Sequence, residues 1–519
     1  MNGPAWAGLR RRHLLGAAAG AIGPARPLVW AATEAATDTK SDDSSQPPAP
    51  QPVQPWRPPP VFEQRLANGL TVLTVPRPGL PLVSAQLLLR VGAEADPSGQ
   101  PGVAAMTATL LAKGARRQGQ DLGAVALARQ VEALGGTLDS GSGWHRSSLA
   151  ITVTTPQLPA ALALLCDMLR QPLLSAPELD RARAQALDQW ALTMASAEEL
   201  AGLLLRRVVW GPSGYGRLAT AAALRRLTRR PLQQFHARHY RPEQSALVLA
   251  GDITPRTALR LAHGMLGDWR AAAAPTPAVP MPALPPAHAP SLAPALWLLH
   301  LPGNSQCAVT LAAPSAGDPS TDPDDAWPVG LVSNAVLGGG YSARLNQAIR
   351  IRRGLSYGAF SSVQSLPLGG LFSASAMTRP ASAAQVLQLM RDELNRLASS
   401  APPAAELAAR QASLLGSLAR RMDTSSGLAG WVGEQWLRAR PLHQLAEQAE
   451  RILAVSPAQV QGFAARHWAD GGLDAGTGRQ RAVVAGDILG GGTAWDTVAA
   501  RRLSLAELDL DRLGLVAAR

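Results

Sequence analysis

A duplicated pattern constrains the fold of this 519-residue chain more than any other feature of its sequence. The strand-like stretch SALVLAGDI, which begins at Ser245, recurs as RAVVAGDIL from Arg481. The helix-like stretch PELDRARAQALDQW, from Pro177, has a counterpart in AAELAARQASLLGSL, from Ala404. Each copy starts with strands, passes through several helices and returns to a strand, which is typical of the α+β fold class. We therefore predict two homologous α+β domains, each an antiparallel β-sheet flanked by helices.

Stretches rich in proline and alanine separate these predicted domains. Folded sequence begins at Val61, because FEQRLANGLTVLTVPRP places an Asn-Gly turn between two apolar runs and so predicts a β-hairpin. The run AAAAPTPAVPMPALPPAHAPSLAP is typical of a connector between the copies. The predicted segments are an export signal (1–32), a Pro-rich linker (33–60), an N-terminal domain (61–270), a connector (271–294), a C-terminal domain (295–490) and a C-terminal tail (491–519).

The first residues of the chain have the pattern of an export signal. Three arginines, Arg10, Arg11 and Arg12, precede an apolar run from Leu14 to about Pro24, and small residues suited to cleavage follow. The basic start also resembles a twin-arginine signal. We expect a periplasmic protein; an uncleaved membrane anchor or a chance basic start is the alternative. No later segment is apolar for long enough to span a bilayer.

The formal net charge of +12 raises nucleic acid as a partner, but the distribution of the charge argues against it. Lys40 and Lys113 are the only lysines, and the arginines are scattered among alanines instead of forming one basic face. The two cysteines, Cys166 and Cys307, exclude a disulfide framework. We favour two buried apolar thiols, with a single bridge left open.

Three polar motifs could have a metal-binding, catalytic or nucleotide-binding role, but the sequence favours a structural or surface role for each. His236 and His239 have an H-x-x-H spacing that places both on one helix face, but no third ligand follows, so a structural helix is favoured over a zinc site. His145, on a predicted strand edge, is interpreted as a surface polar residue. The run LGGGYSARL lacks the Lys-Ser/Thr of a nucleotide-binding loop, which favours a glycine turn before a helix. Ser342 within it has no evident histidine and acid partners for a nucleophile.

The order of several motifs carries a family resemblance that none of them carries alone. A small-residue helical segment, GVAAMTATLLAKGA from Gly102, is followed by WGPSGYGR, FHARHYRPEQSALVLAGDI and GGGYSARLNQAIRIRRGLSYGAF. Between about Phe62 and Ile488 the chain thereby resembles the pitrilysin/insulinase family of inverted-motif zinc peptidases. That resemblance implies that the two domains form half of a clam-shell chamber.

The resemblance also implies that the zinc site is degenerate. Active members carry H-x-x-E-H in this segment, with two histidines one helical turn apart as zinc ligands and a glutamate that activates water. The same frame places Ala105 and Thr109 at the histidine positions and Ala108 at the glutamate. For the third ligand, on a later helix, the best register gives Ala182, although Glu178 and Asp188 lie close by in sequence. No zinc or other cofactor is therefore expected in this chain.

A second pair of residues from the resemblance is retained. Arg350 and Tyr357 match an Arg and a Tyr, seven positions apart, that hold substrate across the chamber from zinc in the family. Some bacterial members are heterodimers in which one subunit has zinc and the other only this pair. The resemblance implies a non-catalytic, peptide-binding subunit, inactive alone, with a homologous zinc-containing peptidase as partner. The alternative is a structural scaffold subunit of an envelope complex with no role in proteolysis.

Overall fold

The computed structural model of the protein describes residues 58–211, 213–271, 295–317, 326–367, 369–469, 480–491, 495–496 and 498–511. The predicted export signal, most of the predicted linker and nearly all of the predicted connector lie outside these ranges. Among the residues that are described, no helix combines the length and the apolarity that a membrane crossing requires.

The N-terminal half contains a six-stranded sheet, a two-stranded ribbon and eight helices among its described residues. The strands are β1 (Phe62–Arg65), β2 (Thr71–Pro76), β3 (Leu82–Leu89), β4 (Gly114–Arg117), β5 (Gln120–Gly123), β6 (Thr137–Ser142), β7 (Ser147–Thr154) and β8 (Ser245–Gly251). The helices are α1 (Val103–Leu111), α2 (Ala124–Ala133), α3 (Leu158–Arg170), α4 (Ala176–Ala195), α5 (Ala197–Trp210), α6 (Ala221–Arg226), α7 (Arg229–His239) and α8 (Pro255–Leu266).

The predicted hairpin opens the first sheet. Strands β1 and β2 pair antiparallel with Arg65 opposite Thr71, and Gly69 in the turn between them adopts a φ of +91°, which glycine tolerates best. The strand order is β1-β2-β8-β3-β7-β6, so β6 lies at one edge. Strand β8 pairs parallel with β2 and antiparallel with β3. The sheet is therefore mainly antiparallel, as predicted, with one parallel pair, β2 and β8, because β8 returns to the sheet only after a run of helices.

The C-terminal half repeats this arrangement with its own strands and helices. Its strands are β9 (Leu296–His300), β10 (Cys307–Ser315), β11 (Ser356–Leu366), β12 (Gly369–Thr378), β13 (Arg481–Gly486) and β14 (Arg501–Ser504). Its helices are α9 (Trp327–Leu337), α10 (Arg344–Asn346), α11 (Ala383–Ser399), α12 (Ala404–Arg421), α13 (Ser425–Leu437), α14 (Gln444–Leu453) and α15 (Pro457–His467).

The second sheet confirms the duplication that the sequence predicts. Its order, β11-β12-β10-β13-β9-β14, places β13 between β10 and β9 just as β8 lies between β3 and β2. The pairing senses also match, since β13 is antiparallel to β10 and parallel to β9. One difference lies at the edge, where residues 501–504 of the expected tail form β14 and pair parallel with β9.

The central strands β8 and β13 are buried on both faces of their sheets, which explains why β8 is an unbroken apolar stretch in the sequence. Leu247 and Leu249 of β8 face the core formed with the helices of their own half, whereas the alternate residue Val248 faces α13 from the other half. Reciprocally, α5 of the N-terminal half packs on β9, β10 and β13. Each half therefore contributes one helix to the outer face of the other half's sheet.

The two cysteines are free and buried, as predicted. Cys166 lies on α3 in the core of the N-terminal half, and Cys307 begins β10 in the core of the C-terminal half. Burial raises the pKa of the Cys166 thiol to about 12 and that of the Cys307 thiol to about 11. Both thiols are therefore protonated apolar groups at neutral pH.

Candidate functional site

Helix α1 carries the first three predicted site residues, and a carboxylate from upstream fixes where it begins. The two oxygens of Asp96 accept hydrogen bonds from the amides of Gly102 and Ala104, each at 2.7 Å. Gly102 has a φ of +99°, so the chain turns sharply into the helix at a residue without a β-carbon. Asp96 thus satisfies two of the amides that a helix start leaves open.

Burial raises the pKa of Asp96 to about 6, and the hydrogen bonds from Ala104 and Gly102 and the charge of Arg217 oppose that rise. The residue was missed by the sequence analysis. A signal was present in the DPSGQPG turn that precedes the helix, since an acidic residue near a helix start is favourable.

The predicted ligand positions on α1 lie on its exposed side. Ala105 and Thr109 are both exposed, and the Thr109 hydroxyl donates to the Ala105 carbonyl at 3.0 Å. Ala108, at the position predicted for the glutamate, is fully buried. Methyl groups and a hydroxyl that is bonded to its own helix provide neither imidazole ligands nor a general base.

Helix α4, which packs against α1, carries the third predicted position. Ala182 is one of two buried residues of α4, together with Leu179. Glu178 forms an ion pair with Arg181 one turn later, and Asp188 is exposed. Across the described residues, no group of three or more His, Cys, Asp or Glu side chains is arranged to hold a metal ion.

The H-x-x-H pair at the end of α7 is engaged in packing. The Nε2 atom of His236 lies 2.8 Å from the carbonyl oxygen of Leu169, and the ring of His239 packs on Phe235 with centroids 4.6 Å apart. Burial lowers the pKa of both histidines, to about 4 for His239, where the nearby charges of Arg238 and Arg241 add to the effect. Both imidazoles are therefore neutral side chains that tie α7 to its surroundings.

The second predicted pair, Arg350 and Tyr357, is brought together by a turn. Arg350 lies in a wide π-helical turn, Gln347–Ile351, and Gly354, with a φ of +61°, reverses the chain toward β11. The guanidinium carbon of Arg350 lies 5.3 Å from the ring centroid of Tyr357. On the same guanidinium, the ring of Tyr341 lies at 4.8 Å. Arg350 thus contacts two phenol rings at distances typical of cation–π interactions.

Tyr341 was not among the predicted site residues. It belongs to the LGGGYSARL run, which forms the loop before α10, in agreement with the predicted glycine turn. Within the same loop, the Ser342 hydroxyl accepts a hydrogen bond from Arg410 at 2.7 Å, so its role in the fold is to anchor the loop to α12.

Asn346 holds this loop against β11. Its side-chain amide donates to the carbonyl of Tyr341 at 2.5 Å, and its Oδ1 accepts from the amide of Ala359 at 3.2 Å. The amide of Ser361 donates to the carbonyl of Gly338 at 2.9 Å. A β-carbon at Gly338 would lie 2.4 Å from the Ser361 hydroxyl, so the close approach of loop and strand requires glycine there.

His145 differs from its prediction as a surface polar residue. Its Nε2 lies 2.6 Å from the hydroxyl of Tyr215, which is buried, and its Nδ1 lies 3.7 Å from Oε2 of Glu94. Trp144 and Trp210 pack on the same tyrosine, with ring centroids 4.3 and 5.0 Å away. Because these residues come from three separate segments, their proximity was not visible in the sequence.

Glu94, which lies beside His145 and Tyr215 in this cluster, has a raised pKa. Burial raises its pKa to about 7, and the charge of Asp96 adds to the rise, although hydrogen bonds from its own amide and that of Gly92 oppose it. The guanidinium of Arg206 lies over Trp144, 4.3 Å from the ring centroid, and donates to backbone carbonyls of Tyr215 and Arg217. The cluster ties the approach to α1 to the segment after α5.

Comparison with known proteins places two family profiles on this chain. The profile described as insulinase (peptidase family M16) matches residues 71–210, and the profile described as the peptidase M16 inactive domain matches residues 226–414. Among curated proteins, an uncharacterized zinc protease of Streptomyces coelicolor is 26% identical over 411 residues, covering 77% of this chain and 85% of that protein. One from Mycobacterium tuberculosis is 25% identical over 392 residues, covering 75% and 86%.

Solved structures share the fold. The crystal structure of a peptidase M16 inactive domain from Pseudomonas fluorescens superposes with a TM-score of 0.71 at 23% identity, covering 82% of this chain and 98% of that one. A protease from Helicobacter pylori superposes with a TM-score of 0.74 at 18% identity, covering 82% and 99%. At these identities the superpositions establish the architecture and leave the chemistry to the residues themselves.

Proposed function

Because the chain belongs to the insulinase (M16) peptidase family, we propose that it is a non-catalytic, peptide-binding subunit of a heterodimeric zinc peptidase in the periplasm. It would close a chamber together with a homologous subunit that holds zinc. The observation that carries this proposal is the contrast between the two predicted sites. Ala105, Ala108 and Thr109 offer no metal chemistry, whereas Arg350 and Tyr357 are in contact, with Arg350 partly exposed and Tyr357 exposed.

The chemistry of Arg350 and Tyr357 suits a bound peptide. A guanidinium presents several N–H donors to peptide carbonyls, and a phenol hydroxyl can donate to an oxyanion as it develops. Zinc in the partner subunit would supply the polarisation of the scissile carbonyl and the activated water. The rings of Tyr341 and Tyr357 restrict the guanidinium, so less conformational entropy is lost when a peptide binds.

Strand β6 supports peptide binding from the other half of the chain. It is an edge strand of the first sheet, it packs beside α1, and most of its residues are partly exposed. An extended peptide can pair with such an edge through main-chain hydrogen bonds. Helix α1 would then be retained in this chain, although it lacks the zinc motif, because it supports the β6 edge.

Co-expression with the zinc-containing homologue tests the proposal. Arg350→Ala and Tyr357→Phe complexes should assemble normally but turn over peptide about 10²–10³-fold more slowly, the usual loss when an oxyanion donor is removed. Arg260→Ala, on the exposed side of α8, is the matched control and should leave turnover unchanged. Size and zinc content of each complex must be measured, since a misassembled complex would also lose activity. Unchanged turnover in both test variants would instead support the scaffold alternative.

The proposed location has a separate test. The basic residues Arg10 to Arg12 and the short apolar run after them support export, with processing near residues 31–35. N-terminal sequencing of the protein from fractionated cells should find a shortened chain in the periplasm. A full-length chain with Met1 in the cytoplasm would contradict this part of the proposal.

A further inference from the structure

Positive charge is concentrated in one part of the chain, although the arginines are scattered over most of it. Residues 200–242 contain nine arginines and no aspartate or glutamate. Arg225 and Arg226 end α6, and Arg229 and Arg230 begin α7. We call the surface formed by these four side chains the basic corner. Because the chain from the first to the last of them is so short, their backbone positions lie within about 20 Å of each other.

The four side chains of the basic corner are exposed, and their charges are not neutralised. Arg225, Arg226 and Arg230 make no ion pair and no side-chain hydrogen bond with any residue that the structure describes. Arg229 donates to backbone carbonyls, among them that of Leu174 at 2.7 Å, and a carbonyl does not cancel its charge. The corner therefore presents four positive charges to solvent.

The carboxylates that approach α6 have partners of their own. Asp180, on the adjacent helix α4, pairs with Arg183. The guanidinium of Arg183 also donates to the carbonyl of Leu227 at 2.8 Å, between the two arginine pairs of the corner. Asp511 accepts a hydrogen bond from the Thr220 hydroxyl at 2.7 Å, at the opposite end of α6. Neither carboxylate therefore neutralises the basic corner.

Helix stability does not account for all of these arginines. The helix macrodipole favours cations in the last turn of a helix and disfavours them in the first. Arg225 and Arg226 are favourably placed at the end of α6. Arg229 and Arg230, however, lie in the first turn of α7, which contains no acidic residue. A negatively charged partner would offset this repulsion.

The basic corner offers charge and no apolar anchor. The large apolar residues of the same stretch, Leu224, Leu227 and Leu232, are buried in the core of the N-terminal half. Protein partners usually bind through aromatic or aliphatic residues that become buried at the centre of an interface. An anionic bilayer, by contrast, attracts a cluster of basic side chains through charge, with a gain of about fivefold in affinity for each Lys or Arg.

We infer that the basic corner docks the protein on an anionic lipid surface, where its guanidinium groups bind the phosphate groups of the headgroups. This inference goes beyond the proposed function and does not depend on peptide binding. It gives the chain a way to stay at a membrane surface by charge. Nucleic acid carries the same phosphate group, but the export signal expected at the start of the chain separates the protein from it.

Vesicle cosedimentation of the purified full chain tests the inference. Vesicles of equal parts phosphatidylglycerol and phosphatidylcholine should bind the wild-type chain at about 0.1 M salt and release it at about 1 M, where the Debye length falls to about 3 Å. Arg225→Gln combined with Arg226→Gln should weaken binding about 30-fold, since two charges are lost. The matched control, Arg256→Gln with Arg260→Gln, removes two exposed charges from α8 and should keep the affinity within about twofold.

Two measurements guard the comparison between the double variants. Thermal unfolding should give the same melting temperature for both, because the replaced side chains are exposed and make no ion pair with any described residue. The basic residues Arg10 to Arg12 are present in every chain, so any binding through them is the same throughout. Peptide turnover in solution with the zinc-containing partner should also be unchanged, and the proposed function therefore stands or falls separately.

Several results would overturn the inference. If the wild-type chain does not bind the mixed vesicles, or if both double variants lose affinity equally, the basic corner is not a docking surface. Equal binding to phosphatidylcholine alone that salt does not weaken would show that apolar contacts carry the binding. A labelled DNA duplex that binds the wild-type chain more tightly per phosphate than the vesicles do, and that the Arg225→Gln/Arg226→Gln variant no longer binds, would assign the corner to nucleic acid instead.

Discussion

Oδ1 of Asn346 accepts a hydrogen bond from the backbone amide of Ala359 at 3.2 Å, and this contact joins α10, directly before the π-helical turn, to the strand that carries Tyr357. The side chain of Asn346 is fully buried, and its amide group also donates to the Tyr341 carbonyl. One side chain therefore sets the positions of both rings that flank Arg350.

Asn346→Ala should accordingly destabilise the protein. The substitution leaves the buried Ala359 amide and the partly buried Tyr341 carbonyl without their partner, which costs about 1–3 kcal/mol of unfolding free energy. Urea denaturation measures the loss. Gln364→Ala, at an exposed position of β11, is the control and should change the unfolding free energy by less than about 0.5 kcal/mol. Equal stability of the two variants would show that the Asn346 hydrogen bonds contribute nothing.

Two alanines on α1 should respond differently to the same change. Ala108→Glu places a carboxylate where the side chain is fully buried, so we expect a loss of at least about 2 kcal/mol of unfolding free energy. Ala105→Glu adds the same group on the exposed side of the helix and should cost less than about 0.5 kcal/mol. Thermal unfolding of both variants decides the matter, and similar melting temperatures would contradict the burial of Ala108.

The purified chain should bind no stoichiometric zinc. Ala105→His and Thr109→His combined with Ala182→Glu place two imidazoles and a carboxylate at the three predicted ligand positions, so the triple variant should acquire zinc that the wild type and the double variant without Ala182→Glu do not retain. Metal analysis after gel filtration measures this. Tightly held zinc in the wild-type chain would refute the interpretation of α1 as a degenerate site.

Local patterns in the sequence predicted much of the fold. The Asn-Gly hairpin and the repeated strand and helix depend on neighbours along the chain, and the matching order of the two sheets confirms them. The exchange of α5 and α13 between the halves was not predicted, because an apolar helix face does not specify which sheet it covers. The same holds for β14, a four-residue strand whose pairing depends on a partner far away in sequence.

The candidate site was likewise predicted only in part, where sequence motifs identify its residues. Arg350 and Tyr357 were found through motif spacing, and their contact follows from the turn at Gly354. Tyr341 was predicted only as part of a glycine turn. Its contact with Arg350 could not be predicted, because it depends on hydrogen bonds of Asn346 that join the loop to β11. His145 was misjudged because its partners, Tyr215 and Glu94, come from other segments.

Two glycines of α13 test the exchanged packing. A β-carbon at Gly433 would lie 2.4 Å from the buried side chain of Leu88 on β3, whereas one at Gly430 meets nothing within 4 Å. Gly433→Leu should therefore lower the free energy of unfolding by about 1–3 kcal/mol through overpacking. Gly430→Leu replaces glycine at an open helical position and should raise it by up to about 1 kcal/mol. Chemical denaturation compares the two, and equal effects would argue that α13 does not lie against β3 in solution.

Glu94 should make the stability of the protein depend on pH. Its pKa rises from 4.5 to about 7 in the folded chain, mainly because it is buried. Between these values the folded protein keeps a proton that the unfolded chain has released. Stability from this group is therefore fully present below about pH 4.5 and is lost as the pH rises through about 7. The loss is on the order of 2–3 kcal/mol.

Glu94→Gln keeps the side-chain oxygen that accepts from the Gly92 amide but cannot ionise. The variant should be more stable than the wild type at pH 8 and similar to it at pH 4.5, which urea denaturation at both values can measure. Part of the slope should remain, because burial also raises the pKa of Asp96, to about 6, and this residue loses stability as the pH rises through that value. Glu132→Gln, at an exposed position of α2, controls for the loss of a negative charge and should follow the wild-type profile. If Glu94→Gln also follows that profile, Glu94 is ionised in the folded protein at neutral pH at no cost, and the cluster around His145 is more hydrated than its packing indicates.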